Sequence, residues 1–176
     1  MAIEWSIPLS ERIQLSILLA DSEAVLATLI GVDNDRCRIA AFARNSRFME
    51  SSYDISIPEG LAIPKWEHDH ESEVAYVGIS KLNAKVSVLC MPIVQSGYIL
   101  TVNAFGRNPP SKVLGIAVAI AAADIGHSNI LDESLLLGGG RVREHAEVVA
   151  QLQAPKDLQQ DKAIEYVLRH TKLRSE

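Results

Sequence analysis

The sequence predicts an α+β protein in which a mainly antiparallel sheet packs on one buried apolar helix at about residues 112–125. Three observations lead to this prediction. A nearly continuous apolar run lies between Lys112 and Gly126, short apolar stretches separated by turns precede it, and two amphipathic segments follow it. Consecutive strands ahead of a buried helix are typical of an antiparallel meander with the helix laid on one face.

The segment 112–125 is predicted to be helical and enclosed. Every residue between Lys112 and Asp124 is apolar or glycine. A helix that is apolar all round must be covered on most of its sides. Gly115 and Ala119 are small enough to let another backbone approach closely, so we expect the sheet to pack against this helix.

Alternation of apolar and polar residues predicts the strands. Residues 3–9 alternate in this way, and Pro8 lacks an amide donor, so this strand should lie at an edge of the sheet or end there. The meander and a short final strand are predicted at 74–79, 85–94, 98–105 and 129–131.

The region from residue 13 to residue 43 gives a mixed signal. Residues 13–17 alternate with period two, whereas 21–32 fits either a helix capped near its start or a strand. The polar tetrad 33–36 is a good turn signal, which leads us to prefer the strand and a hairpin over 25–43. Whether 21–32 is a helix or a strand is left open.

The chain divides into a predicted α+β domain, 1–137, and a helical C-terminal appendage, 138–176, that begins with three glycines. Glycine has the largest backbone freedom, so the three residues are interpreted as a hinge. A first amphipathic helix is predicted over 141–153, and a second is predicted to begin at a capping box formed by Asp157 and Gln160. Whether the two helices pack on the domain or form a homodimer contact is left open.

Composition limits the classes of partner. The formal net charge is −5, and no basic face is evident, which argues against nucleic acid and favours a basic protein partner. Cys37 and Cys90 are too few for a disulfide framework and fit a reducing compartment. The longest apolar run is shorter than the ~20 residues that a membrane span needs, and no secretory signal is visible, so we expect a soluble cytoplasmic protein with no membrane partner.

The most unusual composition lies between Trp66 and Glu73. Four carboxylates at alternate positions would form a negative stripe that steers a basic protein, and tryptophan is a frequent interface anchor. The predicted partner-binding residues are Trp66, Glu67, Asp69, Glu71 and Glu73. The competing interpretation is an edge strand whose charges prevent aggregation.

Chemical sites are weakly indicated, and no catalytic residue, cofactor or metal is predicted. His68 and His70 would point the same way from a strand and are the candidates for metal ligation, but no third ligand is evident. His127 lies among serine and acidic residues, an arrangement that also suits an ordinary helix exit. Cys37 has basic sequence neighbours but no assigned base. Gly138–Arg141 could hold an anion, although it matches no phosphate-binding motif.

The segment from Tyr98 to Glu133 consists of a strand, Pro109-Pro110, an alanine-rich helix and Ile130-Leu131-Asp132. It loosely resembles small bacterial α+β immunity proteins that neutralise a cognate toxin. The first hypothesis is a non-enzymatic protein-binding module, such as an immunity-type inhibitor or a chaperone-like adaptor, that engages a basic protein through the acidic stripe and Trp66. One alternative is a small-ligand sensor with a pocket between sheet and helix, signalling through the C-terminal helices. The other is a metal-dependent hydrolase that uses the two candidate histidines.

Overall fold

One antiparallel sheet organises the fold. The structure is a computed structural model that describes residues 3–33, 37–42, 66–69, 72–79, 82, 84–93, 96–104, 108–132, 137 and 141–172. Within these residues the strands are β1 (Ile3–Leu9), β2 (Ala40–Phe42), β3 (Glu67–Asp69), β4 (Ser72–Ile79), β5 (Ala84–Pro92), β6 (Tyr98–Ala104), β7 (Asn129–Leu131) and β8 (Val142–Glu144). The strand order is β2-β4-β5-β6-β1-β7-β8, and β3 also pairs with β4. The predicted α+β class and antiparallel meander are confirmed.

The helices of the described residues are α1 (Leu15–Ile30), α2 (Pro109–Ile125), α3 (His145–Leu152) and α4 (Gln160–Arg169). The central helix is α2, which contacts β1, β5 and β6 on one side and α1, α3 and α4 on others. Every residue of α2 from Ser111 to Ala123 is buried. Its predicted enclosure follows from its lack of a polar face, since each side needs an apolar neighbour.

The start of α2 differs slightly from the prediction, which placed it at Lys112. The helix begins at Pro109, and Asn108 is its N-cap. Proline is well tolerated in the first turn, because its missing amide would have no intrahelical acceptor there and its fixed φ already suits a helix. The Pro-Pro pair therefore begins the helix instead of preceding it.

Strand β1 shows how the sheet meets α2. Its residues alternate between buried and more exposed positions, and Trp5 is fully buried. A Cβ atom on Gly115 would lie only 2.7 Å from Cζ3 of Trp5, so glycine is required for this close approach. The expectation of an edge strand is wrong, because β7 pairs with β1 at Ser6, although β1 does end one residue after Pro8.

Helix α1 corrects the preferred interpretation of a strand and a hairpin over 25–43. Residues 15–30 form one helix, whose buried positions recur at helical spacing: Leu15, Leu18, Leu19, Ser22, Leu26, Ala27, Leu29 and Ile30. The Ser22 hydroxyl donates to the carbonyl of Leu18 at 2.6 Å, so the one buried polar side chain is satisfied inside the helix. Burial against α2 outweighs the β preference of the branched residues, as tertiary packing commonly does.

The C-terminal helices pack on the same core as the rest of the described chain. Helix α3 contacts α1 and α2, and α4 contacts the same two helices. The amide of Ala154 donates to the carbonyl of Leu29 at 2.8 Å, which joins the α3–α4 connection to α1. The three glycines interpreted as a hinge lie outside the described residues.

Two predicted boundaries in this region are wrong. Residues 142–144 form β8, which pairs with β7, because the backbone there completes the sheet edge before α3 begins at His145. Helix α4 has Gln159 as its N-cap, so Asp157 does not form the expected capping box. Residues 156 and 157 instead lie in a turn that follows the exposed Pro155.

Candidate functional site

Three of the four residues predicted to form an acidic stripe, Glu67, Asp69 and Glu73, lie on two adjacent antiparallel strands instead of along one strand. Strand β3 pairs antiparallel with β4, which sets Glu67 opposite Val74 and His68 opposite Glu73. We call β3, β4 and the residues that join them the acidic hairpin. Strand β2 pairs with the other half of the same β4 edge, through Ala40 and Gly78. Among the described residues, no further strand pairs with β3.

The structure thus brings three of the four predicted carboxylate residues to one hairpin. Glu67 and Asp69 are on β3, and Glu73 is on β4. Glu71 and His70 lie outside the described residues. The strand register shows which residues of β3 and β4 lie opposite each other. That these residues form a partner-binding surface stays a prediction.

Trp66 is attached to the core beside the acidic hairpin. Its side chain is half-buried and packs against the hydrophobic core. The indole Nε1–H donates to the carbonyl of Ile13 at 3.0 Å, at the start of α1. A tryptophan with its ring packed and its N–H satisfied is held in one orientation, so the residue that precedes β3 has a fixed position.

Neither metal ligation nor a Ser-His-Asp arrangement is assembled in the described part of the chain. His68 lies on β3, and no group of three or more histidine, cysteine, aspartate or glutamate residues is close enough there to hold a metal ion. Asp124 lies 3.1 Å from Nε2 of His145, and the Ser128 hydroxyl donates to the carbonyl of Asn129. These contacts connect α2 to α3 and close the turn after α2, which are structural tasks.

His127 has a structural role at the end of α2. Its φ of +47° is in the left-handed region, which glycine adopts most readily. Its amide donates to the carbonyl of Asp124, and the amide of Ser128 donates to Ala123, as in a Schellman motif. The preceding residue is Gly126, where a Cβ atom would collide with Leu9. A side chain at 126 would require Leu9 to shift, and the histidine takes the left-handed position.

The cysteines are buried rather than reactive. Cys37 and Cys90 have almost no exposed surface. Burial, with a smaller contribution from the nearby Glu23 carboxylate, raises the pKa of Cys37 from 9.0 to about 11. The basic sequence neighbours of Cys37 suggested an activated thiol, but its surroundings disfavour the thiolate, because desolvation and a negative neighbour both oppose ionisation.

A buried polar cluster near the C-terminal helices was not predicted. Asp132 is fully buried, and its Oδ2 accepts from the amide of Leu137 at 2.6 Å. Gln151 donates to the carbonyls of Leu137 and His170 at 2.9 and 2.8 Å, and Arg143 donates to the Gln151 side-chain oxygen at 3.0 Å. The cluster joins the segment after β7 to both C-terminal helices. The sequence gives no signal for it, because in β8 the polar Arg143 is buried and the apolar Val142 is exposed, the reverse of the usual pattern.

One cleft lies between the N-terminal end of α2 and one face of α4. It has a volume of about 680 Å³. Its lining residues are Pro109, Pro110, Asp161, Ile164, Glu165, Leu168 and Arg169. A smaller cleft of about 300 Å³ lies between the β1–α1 connection and the end of α2, beside His127. Sequence reasoning missed both clefts because their walls come from distant parts of the chain.

Comparisons of this chain with protein-family models, with curated proteins and with solved structures return no match. In the part of the chain that the structure describes, no helix combines the length and apolar character that crossing a membrane requires. Function is therefore inferred from the residues and their geometry.

Proposed function

We propose that this protein is a non-enzymatic binding module that uses the acidic hairpin to bind a basic surface on another protein. The supporting observation is the placement of Glu67 and Asp69 on the edge strand β3 and of Glu73 on β4, the strand with which β3 pairs. Trp66, which is fixed by its hydrogen bond to Ile13, adjoins this edge. The partner-binding set is Trp66, Glu67, Asp69, Glu71 and Glu73.

A local concentration of carboxylates favours this function because it raises the rate at which the protein meets a basic partner. Carboxylates carried by neighbouring strands add their potentials, which raises the local concentration of a basic partner and speeds association. At an ionic strength of 0.1 M such a field extends over about 10 Å, so only charges close to the contact contribute. The formal charge of −5 for the whole chain gives a weaker, less directional attraction of the same sign.

A binding module of this kind fits an immunity-type inhibitor or a chaperone-like adaptor of the bacterial cytoplasm. In both roles a stable fold presents a fixed charged surface and performs no chemistry. Helix α2, buried from Ser111 to Ala123, supplies the rigid support, because its packing on β5 holds the strand next to β4. A preorganised edge loses little conformational freedom on binding, which improves affinity.

The test variant has lysine in place of the four carboxylate residues of the acidic hairpin, at positions 67, 69, 71 and 73, so that each negative charge becomes positive. The control variant reverses four exposed carboxylates elsewhere, Glu11, Asp33, Glu147 and Asp157, and so has the same net charge. The partner is isolated by affinity capture on the wild-type protein, and its association with each variant is measured by stopped-flow fluorescence. We expect the hairpin variant to associate at least about ten-fold more slowly, with the wild-type rate falling steeply as salt rises.

The same pair of variants separates partner binding from protection of the sheet edge. Lysine is as effective as glutamate at keeping an edge strand from aggregating. The hairpin variant should therefore remain monomeric in size-exclusion chromatography even though its association with the partner is slow. Equal association rates for the hairpin and control variants would exclude the acidic hairpin as the binding surface.

A further inference from the structure

The cleft between α2 and α4 combines an apolar floor with an acidic rim. Ile164 and Leu168 are almost fully buried, and with Pro109 and Pro110 they supply an apolar surface. The volume of about 680 Å³ is within the range that small organic ligands occupy. Apolar enclosure of this size stabilises a ligand in proportion to the apolar area removed from water.

The charged rim of the cleft favours a cation. Asp161 and Glu165 are exposed on α4, and one of them, Glu165, is paired with Arg169 through a 2.5 Å contact. Within the described part of the chain, Asp161 has no ion-pair or hydrogen-bond partner for its carboxylate. Among the described residues the rim therefore has two carboxylates and one guanidinium, an excess of negative charge that attracts a positive group to Asp161.

The N-terminal end of α2 lies at the cleft, but it does not make the cleft an anion-binding site. An anion at a helix N-terminus is held mainly by free backbone amides, together with the positive end of the helix dipole. The first two residues of α2 are Pro109 and Pro110, which have no N–H to donate. An anion in the cleft would find few donors there and would face the carboxylates of Asp161 and Glu165.

We propose that this cleft binds a small organic cation, an ammonium group attached to an apolar body. The ammonium lies beside Asp161 and Glu165, and the apolar body contacts Ile164, Leu168 and the two prolines. This site is independent of the acidic hairpin, with which its described lining shares no residue. The protein would thus have a ligand site in addition to its proposed protein-binding surface.

The experiment uses dansylcadaverine, in which a pentylammonium chain is attached to an apolar fluorescent dye, and follows its fluorescence during titration with the full-length protein. The same dye with a carboxylate chain of equal length tests the charge, and pentylammonium without the dye, used as a competitor, tests the apolar contact. We expect saturable one-to-one binding of the cationic dye. The anionic dye and pentylammonium alone should each bind at least about ten-fold more weakly.

The variant D161N/E165Q removes both rim carboxylates and leaves Arg169 unpaired. We expect about a ten-fold loss of affinity for the cationic dye, since each exposed ion pair contributes up to about five-fold. The matched control, E147Q/D157N, removes two exposed carboxylates outside the cleft and should bind as the wild type does. Thermal unfolding confirms that both variants fold.

Three results would overturn the proposal: no saturable binding below millimolar dye, equal binding of the cationic and anionic dyes, or the same affinity in D161N/E165Q and wild type. The acidic hairpin variant serves as a further control. It should bind the dye with wild-type affinity and associate slowly with its protein partner. The two measurements therefore test the cleft and the acidic hairpin separately.

Discussion

Replacing Gly115 with alanine tests whether α2 packs against β1 as closely as the structure shows. The new Cβ atom would lie 2.7 Å from Cζ3 of Trp5 and 3.2 Å from Cβ of Ala104. Optimal carbon contacts are about 3.5–4.0 Å, so the indole would have to move by about 1 Å. Trp5 is fully buried in a strand with neighbours on both sides, which makes such a movement costly.

Two opposing effects set the magnitude for this substitution. Overpacking a core costs about 1–3 kcal/mol. Alanine gains about 1 kcal/mol over glycine inside a helix. We therefore expect Gly115→Ala to destabilise the fold by about 1 kcal/mol. Gly115→Val should cost more than about 2 kcal/mol, because valine adds further bulk and has a lower helix propensity than alanine.

A double-mutant cycle with Trp5→Phe identifies the contact. Phenylalanine lacks the outer indole ring and also removes an Nε1–H group that has no hydrogen-bond partner among the described residues. The alanine substitution should therefore be tolerated better in the phenylalanine background, with a coupling energy of about 1 kcal/mol. Urea unfolding followed by circular dichroism measures all four proteins. Ala24→Gly, at an exposed position of α1, measures the helix-propensity contribution separately. A rise in stability for Gly115→Ala, or additive effects in the cycle, would refute the described packing.

Three further predictions concern stability. His127→Gly should stabilise the protein by up to about 1 kcal/mol in urea unfolding, because glycine adopts a positive φ without strain, and a loss of stability would contradict the helix-end geometry. The raised pKa of Cys37 favours the neutral thiol in the folded state, so its contribution to stability is complete below pH 9.0 and is lost as pH rises through about 11. In Cys37→Ala the urea midpoint should fall less steeply between pH 9.0 and about 11 than in the wild type. The same pH dependence in both proteins would exclude Cys37 as the cause of the fall. Gln151→Ala should cost about 1–3 kcal/mol in thermal unfolding, because the buried Arg143 loses its hydrogen bond to the Gln151 side chain and the Leu137 carbonyl loses one of its donors. The exposed Gln153→Ala is its control, and equal effects of the two would contradict the buried cluster.

The buried helix and the meander could be predicted because their signals are local. An uninterrupted apolar run, as in α2, has only one stable environment in a water-soluble fold. Alternation over β1, β5 and β6 likewise determines which residues face the core. Both signals are read within a few residues, so no knowledge of the rest of the chain is needed.

Helix α1 was harder to predict because two periods overlap in its sequence. Ile17 is a branched apolar residue that is 45% exposed, and its presence makes residues 13–17 alternate like a strand. Leu15, Leu18 and Leu19 have the helical spacing that the structure buries. The contact with α2 decides between the two patterns, and that contact is a tertiary feature.

The candidate sites also differ in how close together their residues lie in the sequence, and only the local one could be predicted. The acidic stripe was visible because its four carboxylates lie within seven positions of the sequence, and the structure adds that β3 pairs with β4 at an edge. The α2–α4 cleft joins Pro109 to residues more than fifty positions later, and the buried cluster joins Asp132 to Gln151 and His170. Contacts of this kind depend on how the helices pack, which residue spacing alone does not specify.

The association rate of the captured partner with the hairpin variant tests the proposed function most directly. The variant with lysine at positions 67, 69, 71 and 73 is compared with the control at positions 11, 33, 147 and 157 at low and at physiological salt. If the acidic hairpin steers binding, the hairpin variant is at least about ten-fold slower than the control at low salt, and the difference shrinks as salt rises. Equal rates for the two variants at every salt concentration would contradict the proposed function.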